Sequence, residues 1–304
     1  MPTSGRQAIA RLTTEQRANW DREGYLMVRG ALAKPEVDAV VAAVDRLLAA
    51  APAGNEGKVL NAFNVVEIET AFLDVMDHPS VLGLVADLMG TNLQLLMSQA
   101  MVRPPTSGMP LGWHHDGPKP YPFPNVGGLV PLLNLKVGWF LTDLSSPDLG
   151  NFVVVPGSHI HGVNPPRGRL EHSASETTEL ASEMPGAVQV LAEPGDAILF
   201  HNELWHAVAP STADRLRKVL YYAYGPSWLR LNDREYPGAS LLAECDPVRR
   251  QLLGGLSRPE DHGGMHPGAE GLPLLELLEG RSYTKVMEAN FDRELDEYRG
   301  RPRA

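Results

Sequence analysis

The stretch Gly112-Trp113-His114-His115-Asp116-Gly117 contains a histidine and a carboxylate two residues apart, just before a turn-rich segment. On a strand, with its period of two, the side chains of His114 and Asp116 leave the same face and reach one ion. Such a pair supplies two of the three ligands of the facial triad that holds non-haem Fe(II) with open positions for other ligands. The third ligand should be a distant histidine. His-x-Asp alone is a weak pattern in a chain with 10 histidines, and the alternative is a solvated histidine at a polar strand end.

Composition limits the class of partner and the kind of metal site. The 304 residues include 27 Lys plus Arg against 37 Asp plus Glu, a net charge of -10. This balance argues against nucleic acid or an anionic membrane as a partner and favours a small-molecule substrate. Cys245 is the one cysteine, so an intrachain disulfide and a cysteine-based zinc site are excluded, and a metal must be held by histidine and carboxylate. We see no apolar leader segment and no run of about 18 apolar residues, and we expect a cytoplasmic protein.

Helices are predicted before the motif. Thr13-x-x-Gln16 is a capping box that starts a helix ending at Gly24, and a strand follows at 25–28. Pro35 opens a second helix whose apolar stripe should pack on a sheet, and a third helix runs from about 79 to 89. The stripe consists of Val37, Val40, Val41, Val44, Leu47 and Leu48.

From residue 93 to 224 short apolar runs are broken by glycine and proline, which is typical of an all-β sandwich or barrel. Two long segments rich in Pro, Gly and Ser, 117–130 and 160–186, are either lids over a site or surface insertions with no role. The predicted strands are 93–103, 111–115, 132–143, 152–155, 187–191, 196–200 and 217–224. The predicted C-terminal helices are 243–254, 273–279 and 284–298.

A second group of polar residues follows the strand at 196–200. His201 and His206 come at its end, and Arg215 and Arg217 open the next apolar strand. A histidine that ends one barrel strand and an arginine that opens the next should lie in one cavity. An arginine binds a carboxylate through two hydrogen bonds and stays charged, so it suits the remote end of 2-oxoglutarate while the keto acid end chelates iron.

Further motifs accompany these two groups in a fixed order. They are Leu12-Thr13-x-Glu15-Gln16, Asp21-Arg22-Glu23-Gly24-Tyr25-Leu26-x-Val28-Arg29-Gly30, Val102-Arg103-Pro104-Pro105, Val154-Val155-Pro156-Gly157-Ser158-His159 and Pro194-Gly195-Asp196. In this order and spacing they resemble the phytanoyl-CoA dioxygenase (PhyH-like) branch of the Fe(II)/2-oxoglutarate oxygenases, over residues 12–228. The resemblance implies iron ligands, a 2-oxoglutarate clamp and two residues lining the co-substrate pocket. These are, respectively, His114, Asp116 and His206; Arg217; and Gln99 and Trp139.

Some of these assignments have alternatives. Trp139 would equally suit the core, and Gln99 on a strand facing a core would need a polar partner. His201 is the rival of His206 as the distal ligand, but its spacing to Arg217 fits the family less well.

Two departures from the family pattern concern the co-substrate. The distal histidine of the family is usually followed by Gly-Ser, whereas this chain has Ala207-Val208 and lacks that hydroxyl. Arg103 stands where lysine is common.

Asp116 itself favours oxygenation, because halogenating relatives replace this carboxylate to admit chloride. His115 should point away from His114.

The resemblance implies a mainly β fold with flanking helices, a double-stranded β-helix (a cupin-like jelly roll). We expect one domain over 1–304, with helical support at 12–92, a jelly-roll core at 93–228 and a helical extension at 229–304. The expected cofactors and co-substrates are Fe(II), 2-oxoglutarate and O2. The extension is the candidate surface for a homodimer.

The expected reaction is hydroxylation of a small molecule, for which secondary metabolism is the favoured setting, with release of succinate and CO2. Desaturation, cyclisation or epoxidation would use the same oxidant. The competing hypotheses are a jelly-roll metalloenzyme that isomerises or hydrolyses without 2-oxoglutarate, and a non-catalytic binding module.

Overall fold

Helices flank two antiparallel sheets in the computed structural model. The residues that the structure describes are 8–51, 60–106, 111–117, 131–160, 184–255, 271–282 and 285. The helices are α1 (Thr14–Glu23), α2 (Lys34–Ala49), a short 3-10 helix (Val65–Glu67), α3 (Thr70–Met76), α4 (Leu82–Met89), α5 (Ala239–Glu244), α6 (Pro247–Leu252) and α7 (Pro273–Glu279). The strands are β1 (Tyr25–Val28), β2 (Leu60–Phe63), β3 (Leu93–Arg103), β4 (Leu111–His114), β5 (Leu135–Phe140), β6 (Phe152–Val154), β7 (Val188–Val190), β8 (Ala197–His201), β9 (His206–Val208) and β10 (Arg217–Pro226).

The strands form two sheets that enclose a common core. The larger sheet has the order β1-β8-β5-β10-β3-β2, and the smaller has the order β4-β9-β6-β7. The strand pairs in both sheets are antiparallel. The predicted jelly roll, mainly β with flanking helices, is confirmed.

The N-terminal helix begins and ends as its sequence predicts. The Thr13 hydroxyl accepts from the Gln16 amide at 3.1 Å, and the Gln16 side chain accepts from the Thr13 amide at 2.9 Å. Gly24 ends the helix in the left-handed region, with φ 78°. A side chain there would collide with His159, because a Cβ atom on Gly24 would be only 2.4 Å from its Nδ1. The chain therefore turns at Gly24 directly into β1.

Helices α2, α3 and α4 share a core with the outer face of the larger sheet. The hydroxyl of Tyr222 donates to the carbonyl of Phe72 at 2.6 Å, and that of Tyr224 donates to the carbonyl of Met76 at 2.6 Å. A buried phenol needs a partner in place of water, so these bonds fix α3 over β10. The predicted stripe of α2 is buried at Val37, Val40 and Val44 and partly buried at Val41, Leu47 and Leu48.

The inner face of the larger sheet packs against the smaller sheet through aromatic side chains. Phe200 on β8 and Tyr221 on β10 have ring centroids 4.9 and 6.5 Å from that of Phe152 on β6. We call these three rings the aromatic wall, and the candidate site lies against them.

Several elements differ from the prediction. Strands β2 and β9 have 4 and 3 residues, too short to show an alternating pattern, and neither they nor α3 were predicted. The third helix starts at Leu82 and not at 79. The predicted helix at 243–254 is wrong: it is two helices, because the Asp246 side chain caps α6 by accepting from the Arg249 amide at 2.9 Å and Pro247 occupies the first turn.

Parts of the prediction fall outside the described residues. They include most of the segments 117–130 and 160–186, and the helix at 284–298 apart from residue 285. The homodimer through the C-terminal extension stays a prediction. Among the residues that the structure does describe, no helix is both long enough and apolar enough to cross a membrane.

Candidate metal centre and co-substrate pocket

Two histidines face each other across the smaller sheet. His114 is the last residue of β4 and His206 the first of β9, and they are direct partners in the register. Directly opposite residues on antiparallel strands share a face, and the ring centroids lie 4.2 Å apart. Asp116 follows two residues after His114. Ligand atoms of these three residues all lie within 4.8 Å of one another.

Both imidazole rings are oriented by the backbone. Nδ1 of His114 donates to the carbonyl of Gly112 at 2.8 Å, and Nδ1 of His206 donates to the carbonyl of Leu204 at 2.8 Å. Because a carbonyl only accepts, the proton of the neutral ring lies on Nδ1 and the lone pair on Nε2. This is the arrangement in which a histidine presents Nε2 to a metal. Burial lowers the pKa of His206 to about 3, and the neighbouring His114 contributes to the lowering, so the ring is neutral.

Asp116 presents its carboxylate to the two rings. Its Oδ1 lies 3.9 Å from His114 Nε2 and its Oδ2 lies 3.6 Å from His206 Nε2. Burial alone would raise the pKa of Asp116, but the positive charge of Lys136, with His206 and His114, outweighs it and lowers the pKa. The backbone amide of Asp116 donates to the carbonyl of Asn202 at 2.7 Å, which ties the turn after β4 to the loop before β9.

Lys136 on β5 makes the closest contact to this carboxylate, with Nζ 2.8 Å from Oδ2. This contact compensates the negative charge of the buried Oδ2. Two imidazole nitrogens and one carboxylate match the donor set of non-haem Fe(II), and the described residues therefore fit that metal.

The rival histidine lies elsewhere. His201 packs against Trp20 and His159, with ring centroids 6.3 and 5.3 Å away, and its Nδ1 accepts from the Glu203 amide at 3.1 Å. Burial lowers the pKa of His201 to about 3, with a further contribution from His159. The structure thus brings His206, and not His201, to His114 and Asp116.

His115 lies on the other side of the strand, as expected. Its Nδ1 is 3.2 Å from Glu203 Oε2, and its ring meets Trp205 edge-on with centroids 5.0 Å apart. The adjacent Gly117 is required by this packing, because a Cβ atom there would lie within 1.7 Å of the Glu203 side chain. His115 and Glu203 therefore hold together the two loops that carry the candidate ligands.

Arg217 at the start of β10 is the second feature of the cavity. Its side chain is buried, and its Nη2 donates to the Tyr221 hydroxyl at 3.1 Å. Its Nε and Nη1 are buried and have no hydrogen-bond partner among the described residues, and the same is true of the Ser211 hydroxyl. A Cβ atom on Gly150 would be 2.9 Å from Arg217 Cδ and 3.6 Å from Ser211 Cβ, so these residues are neighbours. Buried donors without partners are costly, and they fit an anionic ligand.

A second guanidinium lies beside the first. Arg103 on β3 is the direct partner of Arg217 in the register and is also buried. Burial lowers the pKa of Arg103, and the charge of Arg217 lowers it further. Two adjacent buried cations favour a carboxylate over a neutral group at this end of the cavity.

The aromatic wall connects the candidate metal centre to Arg217. Phe152 and Phe200 each have a ring centroid 5.1 Å from that of His206. Both also contact Tyr221, at 6.5 Å, and Tyr221 bonds Arg217. The candidate metal centre and the arginine are therefore on one continuous wall.

Gln99 and Trp139 occupy opposite faces of the larger sheet. Gln99 is directly opposite Tyr221, so it faces the cavity, and its Nε2 is 3.4 Å from Asn61 Oδ1. Trp139 is fully buried on the outer face among the helices, with its ring 6.0 Å from that of His78. Its position contradicts the prediction that it lines the pocket and matches the alternative, a core residue.

Three residues of the cavity were not predicted. Lys136 had a signal, because it is a lone charge within the apolar strand Leu135–Phe140. Tyr221 and Ser211 had none, since a tyrosine in an apolar strand and a serine in a loop occur in any β protein.

Known proteins resemble this chain in sequence and in fold. The family model for phytanoyl-CoA dioxygenase (PhyH) matches residues 20–219. An ectoine dioxygenase from Nocardia farcinica is 25% identical over 234 residues, which cover 69% of this chain and 77% of that protein. The solved structure of HygX from Streptomyces hygroscopicus with nickel and 2-oxoglutarate bound has a TM-score of 0.59 at 20% identity, covering 76% of this chain and 94% of that one. The non-haem α-ketoglutarate-dependent carbocyclase SnoK from nogalamycin biosynthesis has a TM-score of 0.56 at 22% identity, covering 80% and 95%. The chain belongs to the phytanoyl-CoA dioxygenase (PhyH) family of Fe(II)/2-oxoglutarate-dependent oxygenases.

Proposed function

We propose that this protein hydroxylates an unactivated C–H bond of a small molecule of secondary metabolism, with Fe(II) as its metal and 2-oxoglutarate and O2 as co-substrates. Succinate and CO2 are the co-products. One observation carries the proposal: a cluster of two histidines and one carboxylate is joined by Phe152, Phe200 and Tyr221 to an arginine whose buried donors lack partners among the described residues.

In this proposal His114, Asp116 and His206 hold the iron. Bound there, iron supplies the oxidising chemistry together with O2 and 2-oxoglutarate. The chain contributes position. The carbonyls of Gly112 and Leu204 fix both rings with Nε2 toward the centre, so little free energy is spent on ordering them when the metal binds.

Arg217 holds the remote carboxylate of 2-oxoglutarate. Its Nε and Nη1 lack a partner among the described residues and can each donate to an anion, while the Tyr221 hydroxyl accepts from Nη2 and fixes the plane of the guanidinium. The Ser211 hydroxyl is available as a further donor, and it offers a replacement for the hydroxyl that Ala207-Val208 lacks. Gln99 lines the same cavity from β3.

Cyclisation is the second candidate outcome, and the likeness to the carbocyclase SnoK favours it over desaturation and epoxidation. Both outcomes begin with the removal of a substrate hydrogen and need the same residues. An isomerase or hydrolase that does not use 2-oxoglutarate is disfavoured, because such an enzyme would have no ligand for the buried donors of Arg217.

The test is co-substrate turnover. Purified protein with Fe(II), 2-oxoglutarate and O2 should form succinate, and a substrate should raise the rate and gain one oxygen atom in its product. Mass spectrometry with 18O2 distinguishes hydroxylation from cyclisation, which adds no oxygen. Absence of any Fe(II)-dependent succinate across a broad library of small molecules would reject the proposal.

A further inference from the structure

Lys136 is a partly buried cation inside the barrel that packing alone does not require. Its direct partners on the neighbouring strands are Phe200 and Ala223, both members of the inner core, so its side chain enters the cavity. The side chain is 17% exposed, and its Nζ lies 2.8 Å from Asp116 Oδ2. Burying an ammonium group costs free energy unless an anion compensates it.

A bound metal would share the Asp116 carboxylate with Lys136. A divalent metal held by His114, Asp116 and His206 draws on the same carboxylate that compensates Lys136 in the absence of metal. An apolar residue such as methionine would pack equally well beside Phe200 and Ala223. With a metal bound, Asp116 would compensate Lys136 less fully, and the lysine would be open to a further anion.

The sum of charges around the metal centre indicates which kind of group Lys136 would bind. A divalent metal, the Asp116 carboxylate and the chelating carboxylate of 2-oxoglutarate cancel one another. The other carboxylate of 2-oxoglutarate belongs to Arg217, at the far end of the aromatic wall, where Arg103 adds a second cation. Glu203, in the loop before β9, is paired with His115 on the outer side of β4. Among the described residues, the ammonium of Lys136 is then left as an excess positive charge that faces the cavity.

Apolar side chains lie farther across the same face of the sheet. Met97 lies next in the same row across the sheet, as the partner of Ala223. Phe63 on the edge strand β2 is the partner of Gln99, so it shares the cavity face, and it is 52% exposed. A thioether and an exposed ring form an adaptable surface for an apolar body.

We propose that the substrate is a small molecule with an acidic group, a carboxylate or phosphate, that binds Lys136 beside the metal, and with an apolar portion that lies over Met97 and Phe63. This inference rests on the proposed function, because it assumes that the metal and 2-oxoglutarate occupy the site. It makes Lys136 a specificity-determining residue that acts through charge.

The test measures binding and not turnover. Anaerobic protein is first saturated with Fe(II) and 2-oxoglutarate, and the visible charge-transfer band of that complex confirms that both are bound. Four probes of similar apolar length are then titrated by calorimetry: hexanoate, its neutral amide hexanamide, hexyl phosphate and hexanol. Hexanoate or hexyl phosphate should bind at least roughly ten-fold more tightly than its neutral counterpart, and the better of the two identifies the acidic group.

Variants assign the preference to one residue. Lys136→Met should remove the preference for the acid, and Lys136→Arg should keep it. Lys34→Met is the matched control, because Lys34 is an exposed lysine paired with Asp38 on α2 and its loss should change nothing. Equal binding of acids and neutral probes by the unaltered protein would overturn the proposal. So would a Lys136→Met protein that keeps the preference but loses affinity for 2-oxoglutarate, since the lysine would then serve the co-substrate. Failure of the unaltered protein to form the initial complex would reject the proposed function itself, and that step is read separately.

Discussion

His114 and His206 are direct partners across β4 and β9, and each donates its Nδ1 proton to a backbone carbonyl two residues earlier in its own chain segment. The two rings are thus oriented by the same kind of local hydrogen bond, although they come from distant parts of the sequence. Because the acceptor is a backbone carbonyl, this bond fixes the tautomer without any further side chain.

Replacement of His206 by alanine should abolish tight metal binding. The loss should exceed the roughly 10–100-fold that removal of a residue supporting a ligand costs, because a donor atom itself is removed. Titration of the metal-free protein with Fe(II) under anaerobic conditions measures this. His201→Ala is the matched control: it should lower the melting temperature, because His201 is buried, and leave the metal affinity unchanged. The reverse result would move the ligand role to His201.

Replacement of Arg217 by alanine should weaken 2-oxoglutarate binding by about 30-fold or more. Truncating one partner of a buried charge pair costs about 2–5 kcal/mol. Arg215→Ala provides the comparison, because Arg215 is an exposed arginine two residues away that bonds Asp143 and not the cavity. Calorimetric titration of 2-oxoglutarate into the metal-loaded proteins should separate the two. An equal effect of both changes would argue against the clamp.

A side chain at position 150 should displace Arg217 by steric contact. Gly150→Ala forces a side chain into the left-handed region at φ 83° and places its Cβ 2.9 Å from Arg217 Cδ. Gly186→Ala has the same backbone strain at φ 77° but meets nothing within 4 Å. Both should lose about 1–2 kcal/mol of stability. Only Gly150→Ala should also lose affinity for 2-oxoglutarate, and an unaffected affinity would show that Arg217 has room to move.

Acid should destabilise the metal-free protein through its buried histidines. The pKa of His201 is lowered by burial to about 3 from an ordinary value of 6.5. Between these two pH values the histidine is protonated in the unfolded chain and neutral in the folded chain, which favours unfolding. Stability is then complete above about pH 6.5 and is lost toward pH 3, at up to about 1.4 kcal/mol per pH unit for each such group.

The His201 contribution can be isolated with His201→Asn, because the amide oxygen can still accept from the Glu203 backbone. Urea unfolding at several pH values should show a shallower loss of stability for this variant. An identical slope would place the acid sensitivity on other groups.

The sequence predicted the parts of the site that follow from local rules. The period of two placed His114 and Asp116 on one side and His115 on the other. The choice of His206 over His201, and of Arg217 as the clamp, came from the resemblance to the family and its spacing. The capping box and Gly24 predicted the first helix for the same reason, since capping depends on residues three or four apart.

What the sequence could not decide depends on which face of a doubly buried strand points inward. Strand β5 is buried on both sides, so no polar and apolar alternation separates its faces, and Trp139 could have been assigned to either. The structure shows that Lys136 faces the cavity, and Trp139, an odd number of residues away, must then face the helices. Ser211 was equally out of reach, because its place beside Arg217 depends on how the loop after β9 returns to β10.

The pairing of β1 with β8 has a consequence for how the protein is made. Tyr25 lies opposite Phe200, so β1 is synthesised long before β8, the strand with which it pairs. Pairing over such a separation in sequence is slow, because a large loop must close first. Until then β8 presents an unprotected edge to other chains, and loss of the N-terminal segment would leave that edge open permanently. Residues 25–28, although distant from the candidate metal centre, thus cover the edge of β8 and protect the barrel against aggregation.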